Sequence, residues 1–177
     1  ADIGMKLLLI GLETTDQQSL DLMNKKGSVE KNRQAIEICQ SNGVEIVAYF
    51  IVDPAFDKDD FRRLSDFVAA NGLTHPVFTI LSPFPGTELY TSVKDQLITD
   101  RLDLIDFYHS VMPTRLPLDE FYREFQNLYA RAYPATKFLT SLWRDRAVLS
   151  PRMLANSLKI KRKMTQLFRH HEMEPAC

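Results

Sequence analysis

The sequence predicts an α/β architecture of about three parallel strands followed by a helical region. Three observations carry this. Short, near-continuous apolar runs at Lys6–Gly11, Glu45–Val52 and Pro76–Leu81 alternate with amphipathic helical stretches. The connections between them are short, so each strand, helix, strand unit calls for a right-handed crossover and parallel pairing. After Leu81 the alternation stops, and from Pro117 onward only helical periodicity is found.

Each element has its own justification. Lys6-Leu-Leu-Leu-Ile-Gly11 is too short for a buried helix and suits a strand covered on both faces. Thr15-Asp-Gln-Gln18 has the spacing of a capping box, which predicts a short helix from about Asp16 to Lys25-Lys26-Gly27. Ser28 caps a second helix reaching Asn42-Gly43, with Ala35, Ile36 and Cys39 on one face. Glu45–Val52 is the second strand. Phe61, Leu64 and Val68 mark the inner stripe of a helix ending at Asn71-Gly72. Pro76–Leu81 is the third strand. Three strands leave two sheet edges, both expected to carry unpaired backbone groups. Pro117 then opens a helix with Leu118, Phe121, Tyr122, Phe125, Leu128, Tyr129 and Ala132 on one stripe, which Pro134 ends. Further helices are predicted from Phe138 to Trp143 and from Ser150-Pro151 onward. The domain division expected is 1–90 for the strands and 91–177 for the helical extension.

Composition narrows the class. The chain has 177 residues, 45% hydrophobic and 25% charged, and a net charge of −1, which is ordinary for a globular protein. No apolar run approaches the roughly 20 residues of a membrane span, and the first residues lack the pattern of a signal peptide. The absence of an initiator Met at Ala1 suggests a fragment or a processed chain. Two cysteines, Cys39 and Cys177, give no disulfide framework and point to a reducing cytoplasm. Charge is unevenly placed. From Arg144 onward there are eight basic and three acidic residues, against 14 and 20 before it. In the last predicted helix Met153, Leu154, Leu158, Ile160, Met164, Leu167 and Phe168 oppose Arg152, Lys159, Arg162 and Lys163. That basic amphipathic pattern over 150–169 fits either peripheral contact with a membrane or a solvated face on a packed helix. Nucleic-acid binding is not expected, because no basic residues interleave with exposed aromatics.

In a parallel α/β sheet the residues just past the C-terminal strand ends face the ligand. Glu13 sits there after the first strand, Asp53 after the second, and Ser82 to Thr87 after the third. The competing reading of Glu13 is an acid placed near a helix N-terminus, where the dipole favours it. His109 fits a packed structural histidine as readily as a functional one. Cys39, on an apolar helix face, fits a small buried hydrophobe. No pair of His, Cys, Asp or Glu has metal-ligand spacing, and there is no phosphate-binding Gly-rich loop.

Several of these segments carry a resemblance. Leu12-Glu13-Thr14 with Leu20-Asp-Leu-Met-Asn-Lys25 resembles the fourth-strand segment of cobalamin-dependent radical S-adenosylmethionine (SAM) enzymes. Val44–Asp57 is similar to the fifth strand and its loop, and Pro83-Phe-Pro-Gly-Thr-Glu-Leu-Tyr90 to the sixth-strand exit. Asp106-Phe-Tyr-His109 through Pro113-Thr-Arg-Leu-Pro117 resembles the segment that follows the barrel. Together they span about residues 6–145. The Asp53-Pro54 pair and the Pro113–Pro117 string look most like the hopanoid C-3 methylase branch, with the anaerobic Mg-protoporphyrin IX monomethyl ester cyclase as the nearest alternative.

The resemblance implies the C-terminal half of a radical SAM-type (β/α) barrel, strands four to six. It implies SAM, a [4Fe–4S] cluster and cobalamin as cofactors of the parent enzyme, with none firmly held by this chain. The substrate implied is an apolar polycyclic lipid, and the partners are the preceding cobalamin and cluster-bearing regions. Glu13 would accept a hydrogen bond from the ribose or methionine end of SAM. Tyr49, Ile51 and Asp53 would lie against adenine, and Ser82, Pro83 and Gly86 would shape the same pocket. The chain departs from the pattern at Thr15 and Asp16, where small residues are usual, and at Asp53, where glycine is common. The larger departure is the missing Cys-x3-Cys-x2-Cys loop that holds such a cluster, since Cys39 and Cys177 are 138 positions apart. The chain alone is therefore expected to be inactive. A different reading is a non-catalytic binding module that dimerises through its strand edges.

Overall fold

The computed structural model describes residues 4–17, 20 and 27–134. The chain divides into two compact units, Ala1–Ala132 and Tyr133–Cys177. Residues 91–132 thus fall in the unit that holds the sheet. The predicted helices at 138–143 and 150–169, most of the one at 16–26, and Cys177 lie outside the described residues.

The unit runs β1 (Leu7–Glu13), α1 (Val29–Ser41), β2 (Glu45–Val52), α2 (Lys58–Ala70), β3 (His75–Ile80), a short α3 (Glu88–Val93) and α4 (Leu118–Ala132), with 3-10 turns at Lys94–Gln96 and Leu102–Leu104. The three strands form one sheet in the order β1-β2-β3, and both pairs are parallel. The fold class expected from the alternation is therefore observed.

Helix boundaries follow from their caps. The Ser28 hydroxyl accepts from the Lys31 N–H, satisfying a donor that the first turn of α1 would otherwise leave orphaned. Asp57 and Asp60 form a reciprocal capping box at the start of α2, with the Asp60 N–H 3.0 Å from Asp57 Oδ1 and the Asp57 N–H 2.8 Å from Asp60 Oδ2.

All three long helices serve one face of the sheet. Ile46, Ala48, Phe50 and Val52 of β2 and Pro76, Phe78 and Ile80 of β3 alternate inward and are buried. Phe67 of α2 meets Phe50 edge-on with ring centroids 6.1 Å apart. Phe121 of α4 meets Phe61 of α2 at 5.4 Å, and Tyr129 of α4 meets Phe78 at 5.1 Å. Arg33 of α1 lies over the Phe67 ring, 5.8 Å from its centroid, so α1 flanks α2.

Two expectations are corrected. The first strand is not covered on both faces. Leu7 and Leu9 are 55% and 64% exposed, because no described helix lies on that side. Nor are both edges of the sheet left unpaired. On the outer edge of β3, Pro76 carries no N–H. The Phe78 N–H donates to the Tyr129 hydroxyl at 3.1 Å, and that hydroxyl donates to the Phe78 carbonyl at 2.6 Å. The Ile80 N–H donates to the Phe107 carbonyl at 2.6 Å. A proline, a tyrosine and a loop carbonyl thus finish this edge from within the chain. Among the described residues no strand pairs with the outer edge of β1.

Candidate functional site

Parallel pairing puts Glu13, Asp53 and Leu81 at the same end of three neighbouring strands. The structure distributes the residues around them into two neighbourhoods: the open face of the sheet, and a cleft beyond β2 and β3.

The open face carries Leu7, Leu9 and Gly11 of β1, Val47, Tyr49 and Ile51 of β2, and Val77 and Thr79 of β3. Tyr49 stands between Gly11 and Val77 across the ladders, and Ile51 is paired with Thr79. At the end of β1 the ladder slips. Gly11 pairs with Tyr49 while Glu13 pairs with Phe50, so Leu12 is the extra residue of a bulge. Leu12 turns into the core, and Glu13 takes a left-handed conformation, φ 64°, uncommon for a residue with a side chain. The corner is held by the Leu12 carbonyl, which accepts from the Thr14 N–H at 2.8 Å and from Asn32 Nδ2 of α1 at 3.1 Å. The Glu13 side chain folds back over Gly11, its carboxylate occupying the space a Cβ at position 11 would need. A carboxylate, a phenol ring and an isoleucine thus share the open face near its C-terminal end. That set can accept hydrogen bonds from hydroxyl or ammonium groups and shelter a flat apolar ring.

The cleft holds about 220 Å³ and is lined by Asp53, Pro54, Ala55, Leu81, Val93, Gln96, Met112 and Pro113. Asp53 is committed to local structure, with Oδ1 accepting from the Ala55 N–H at 2.8 Å. The strip 106–117 walls the far side. At one end the His109 Nδ1 lies 2.9 Å from Asp106 Oδ2, with His109 only 3% exposed. Next to it the Ser110 N–H donates to the Tyr122 hydroxyl at 2.9 Å, and burial pushes that hydroxyl up to about 12. At the other end the Arg115 N–H donates to the Pro54 carbonyl at 3.0 Å, and its guanidinium pairs with Asp57 at 3.2 Å. The hydrogen bond from the Asp60 N–H holds the Asp57 carboxyl below its usual range, with the Arg115 guanidinium and the Asp59 N–H adding to it. His109 is thus a packed residue with a carboxylate partner.

The third-strand exit contributes shape rather than free polar groups. The Ser82 hydroxyl donates to the Ile80 carbonyl at 3.0 Å, and Pro83 is buried. Phe84-Pro85-Gly86-Thr87 is a turn closed by the Thr87 N–H on the Phe84 carbonyl, with Gly86 at φ 90° as its third position requires. Gly86 is at the exposed tip. Of the residues singled out from the sequence, Glu13, Tyr49 and Ile51 share the open face, Asp53 borders the cleft, and Ser82, Pro83 and Gly86 build the loop.

Sequence reasoning missed Gly11 and the cleft wall at Val93, Gln96, Met112 and Pro113. A glycine inside a strand run does signal a bulge or close approach. The cleft wall comes from segments remote in sequence and left no local signal.

No described group of three or more His, Cys, Asp or Glu could hold a metal. Cys39 is half-buried on α1, rather than the fully buried hydrophobe expected, and is a free thiol. With Cys177 as the only other cysteine, the donor set of a [4Fe–4S] cluster does not fit this chain. Among the described residues no helix is long and apolar enough to cross a membrane.

No protein-family model matches the chain. It is 31% identical over 176 residues to the hopanoid C-3 methylase of Methylococcus capsulatus, an alignment covering 85% of this chain and 33% of that protein. It is 31% identical over 189 residues to the bacteriochlorophyllide d C-8(2)-methyltransferase of Chlorobaculum tepidum, covering 99% and 41%. Against the anaerobic magnesium-protoporphyrin IX monomethyl ester cyclase of Rubrivivax gelatinosus identity is 25% over 151 residues, covering 76% and 26%. The chain therefore spans well under half the length of these relatives. They bear out the resemblance drawn from the motifs: the chain is homologous to part of the radical SAM enzymes of this group.

Proposed function

We propose that this chain, as a homologue of one segment of those enzymes, forms strands four to six of a SAM-binding barrel. The observation that carries this is the asymmetry of the sheet. One edge is finished by Tyr129 and Phe107, one face is filled by helices, and Glu13, Tyr49 and Ile51 stand on the face left open. A barrel lines its interior with the face that its helices do not cover. Because the two cysteines of this chain do not make up a cluster's donor set, a [4Fe–4S] cluster would have to be held by other segments of the parent enzyme, where it would supply the electron for cleaving bound SAM. The residues here bind and orient. The Glu13 carboxylate accepts from the ribose or methionine end of the adenosyl ligand, and Tyr49 and Ile51 shelter its adenine. Asp53, Ser82, Pro83 and Gly86 shape the mouth, and the pinned strip 106–117 excludes water from the cleft.

Methyl transfer to an apolar polycycle such as a hopanoid, with cobalamin as methyl carrier, is the reaction favoured. Two of these relatives are named for methylation, of hopanoids and of bacteriochlorophyllides. Oxidative cyclisation of Mg-protoporphyrin IX monomethyl ester is the alternative, supported by the cyclase match. The test is anaerobic reconstitution of the protein from the full reading frame with iron and sulfide, followed by SAM and a reductant. Formation of 5′-deoxyadenosine, sharply reduced by Glu13→Ala, is expected. A protein that binds no cluster, or a Glu13→Ala variant as active as the parent, contradicts the proposal.

A second reading keeps the chain as a dimerising module. The outer edge of β1 and the exposed Leu7 and Leu9 favour it, since self-pairing is then confined to one edge. A monomer in sedimentation at micromolar concentration contradicts it.

A further inference from the structure

The geometry points to Gly11 as a positioning residue, one that leaves vacant the space in which the Glu13 carboxylate is held on the open face. This rests on the role proposed above for Glu13 and adds to it a second residue acting through the first.

Glycine is usually retained in a strand because the backbone needs a left-handed angle or because another backbone comes close. Neither applies here. Positive φ is found at Gly4, Gly43, Gly72 and Gly86, but not at Gly11. What comes close is a side chain from two residues on. A Cβ built on Gly11 would lie 2.6 Å from Glu13 Oε1 and 3.3 Å from Glu13 Cδ, the first well inside van der Waals contact. The bulge at Leu12 and the left-handed Glu13 bring this about by turning the side chain back along its own strand. Position 11 faces Tyr49 across the ladder, so the vacancy also sets where the carboxylate stands relative to the ring.

The atom that a methyl group at position 11 would strike is the tip of a flexible side chain. The strand can therefore keep its ladder while the carboxylate is pushed aside. This separates a positioning role from a structural one: Gly11→Ala should leave folding nearly unchanged yet move the carboxylate.

The experiment titrates S-adenosylhomocysteine into this chain by NMR, for the parent, Glu13→Ala, Gly11→Ala and the double variant, with thermal unfolding of each. Glu13→Ala and Gly11→Ala should each weaken binding about tenfold, as expected for a lost hydrogen bond to a charged group. The double variant should bind no worse than Glu13→Ala alone. Gly11→Ala binding like the parent overturns the inference while leaving the adenosyl reading intact. A double variant weakened by the product of the single effects also overturns it, because the methyl group would then obstruct the ligand directly. If the parent binds and Glu13→Ala has no effect, the adenosyl reading fails; if the parent does not bind, that reading is decided by the 5′-deoxyadenosine assay above. The positioning claim is then decided without ligand. Through-space contacts between the Glu13 side chain and the position 11 α-protons should be present in the parent and lost in folded Gly11→Ala. Their absence in the parent, or their survival in the variant, overturns it.

Discussion

On the helical side of the sheet, Ala48, Phe50, Val52, Phe78 and Ile80 are fully enclosed, and the adjoining β3 edge is finished by Tyr129 and Phe107. On the opposite side Leu7 and Leu9 remain more than half exposed, and among the described residues the β1 edge meets no strand. Parallel sheets are ordinarily covered on both faces. The difference teaches that the cohesion of this unit is invested on one side. The other side leaves Tyr49 and Ile51 only half-buried, outside the unit's own core.

The comparison breaks most sharply under truncation of the enclosed side. Phe50→Ala should cost about 3–5 kcal/mol in urea unfolding, by lost transfer energy and an unfilled cavity. Next is the finished edge. Tyr129→Phe removes the hydroxyl that serves both the N–H and the carbonyl of Phe78. A loss of about 1–3 kcal/mol is expected, and unchanged stability would show that water substitutes freely there.

Tyr122 sharpens the comparison through pH. Burial raises its hydroxyl to about 12, while the unfolded chain ionises near pH 10. The folded state holds the proton more tightly, so this contribution to stability is complete below about pH 10 and is lost as pH rises through 12. Tyr122→Phe should remove that alkaline loss, at a cost of about 1 kcal/mol near neutrality where the Ser110 N–H loses its acceptor. Smallest of all is the open face. Leu9→Ser should change stability by about 0.5 kcal/mol or less; a cost like that of Phe50→Ala would mean the face is covered.

Much of this was legible in the sequence, because local rules governed it. β2 spans the run Glu45–Val52, Ser28 caps α1, and Phe61, Leu64 and Val68 point inward from α2 as their spacing predicts. The apolar run of β1 misled for a physical reason. Leu7 and Leu9 suit a covered strand, and apolarity alone does not say whether the cover lies within these residues. The finished β3 edge was illegible because Tyr129 is 51 residues from Phe78. At the candidate site the strand-end positions of Glu13 and Asp53 could be read from the pattern. The bulge and left-handed turn that aim the Glu13 carboxylate could not, since they arise from ladder register and from the Asn32 bond to Leu12.

The most direct test of the one-sided sheet is native-state amide hydrogen exchange of the chain. The Glu45 N–H donates to Lys6 across the first ladder, and alternate residues of a strand turn their backbone groups to opposite sides. The amides of Leu7 and Leu9 are therefore turned to the outer edge of β1. They should exchange quickly, while the outward amides of Phe78 and Ile80 on β3 should be protected nearly to the level of global unfolding. Equal protection at the two edges, or faster exchange at Phe78 and Ile80, would contradict the account.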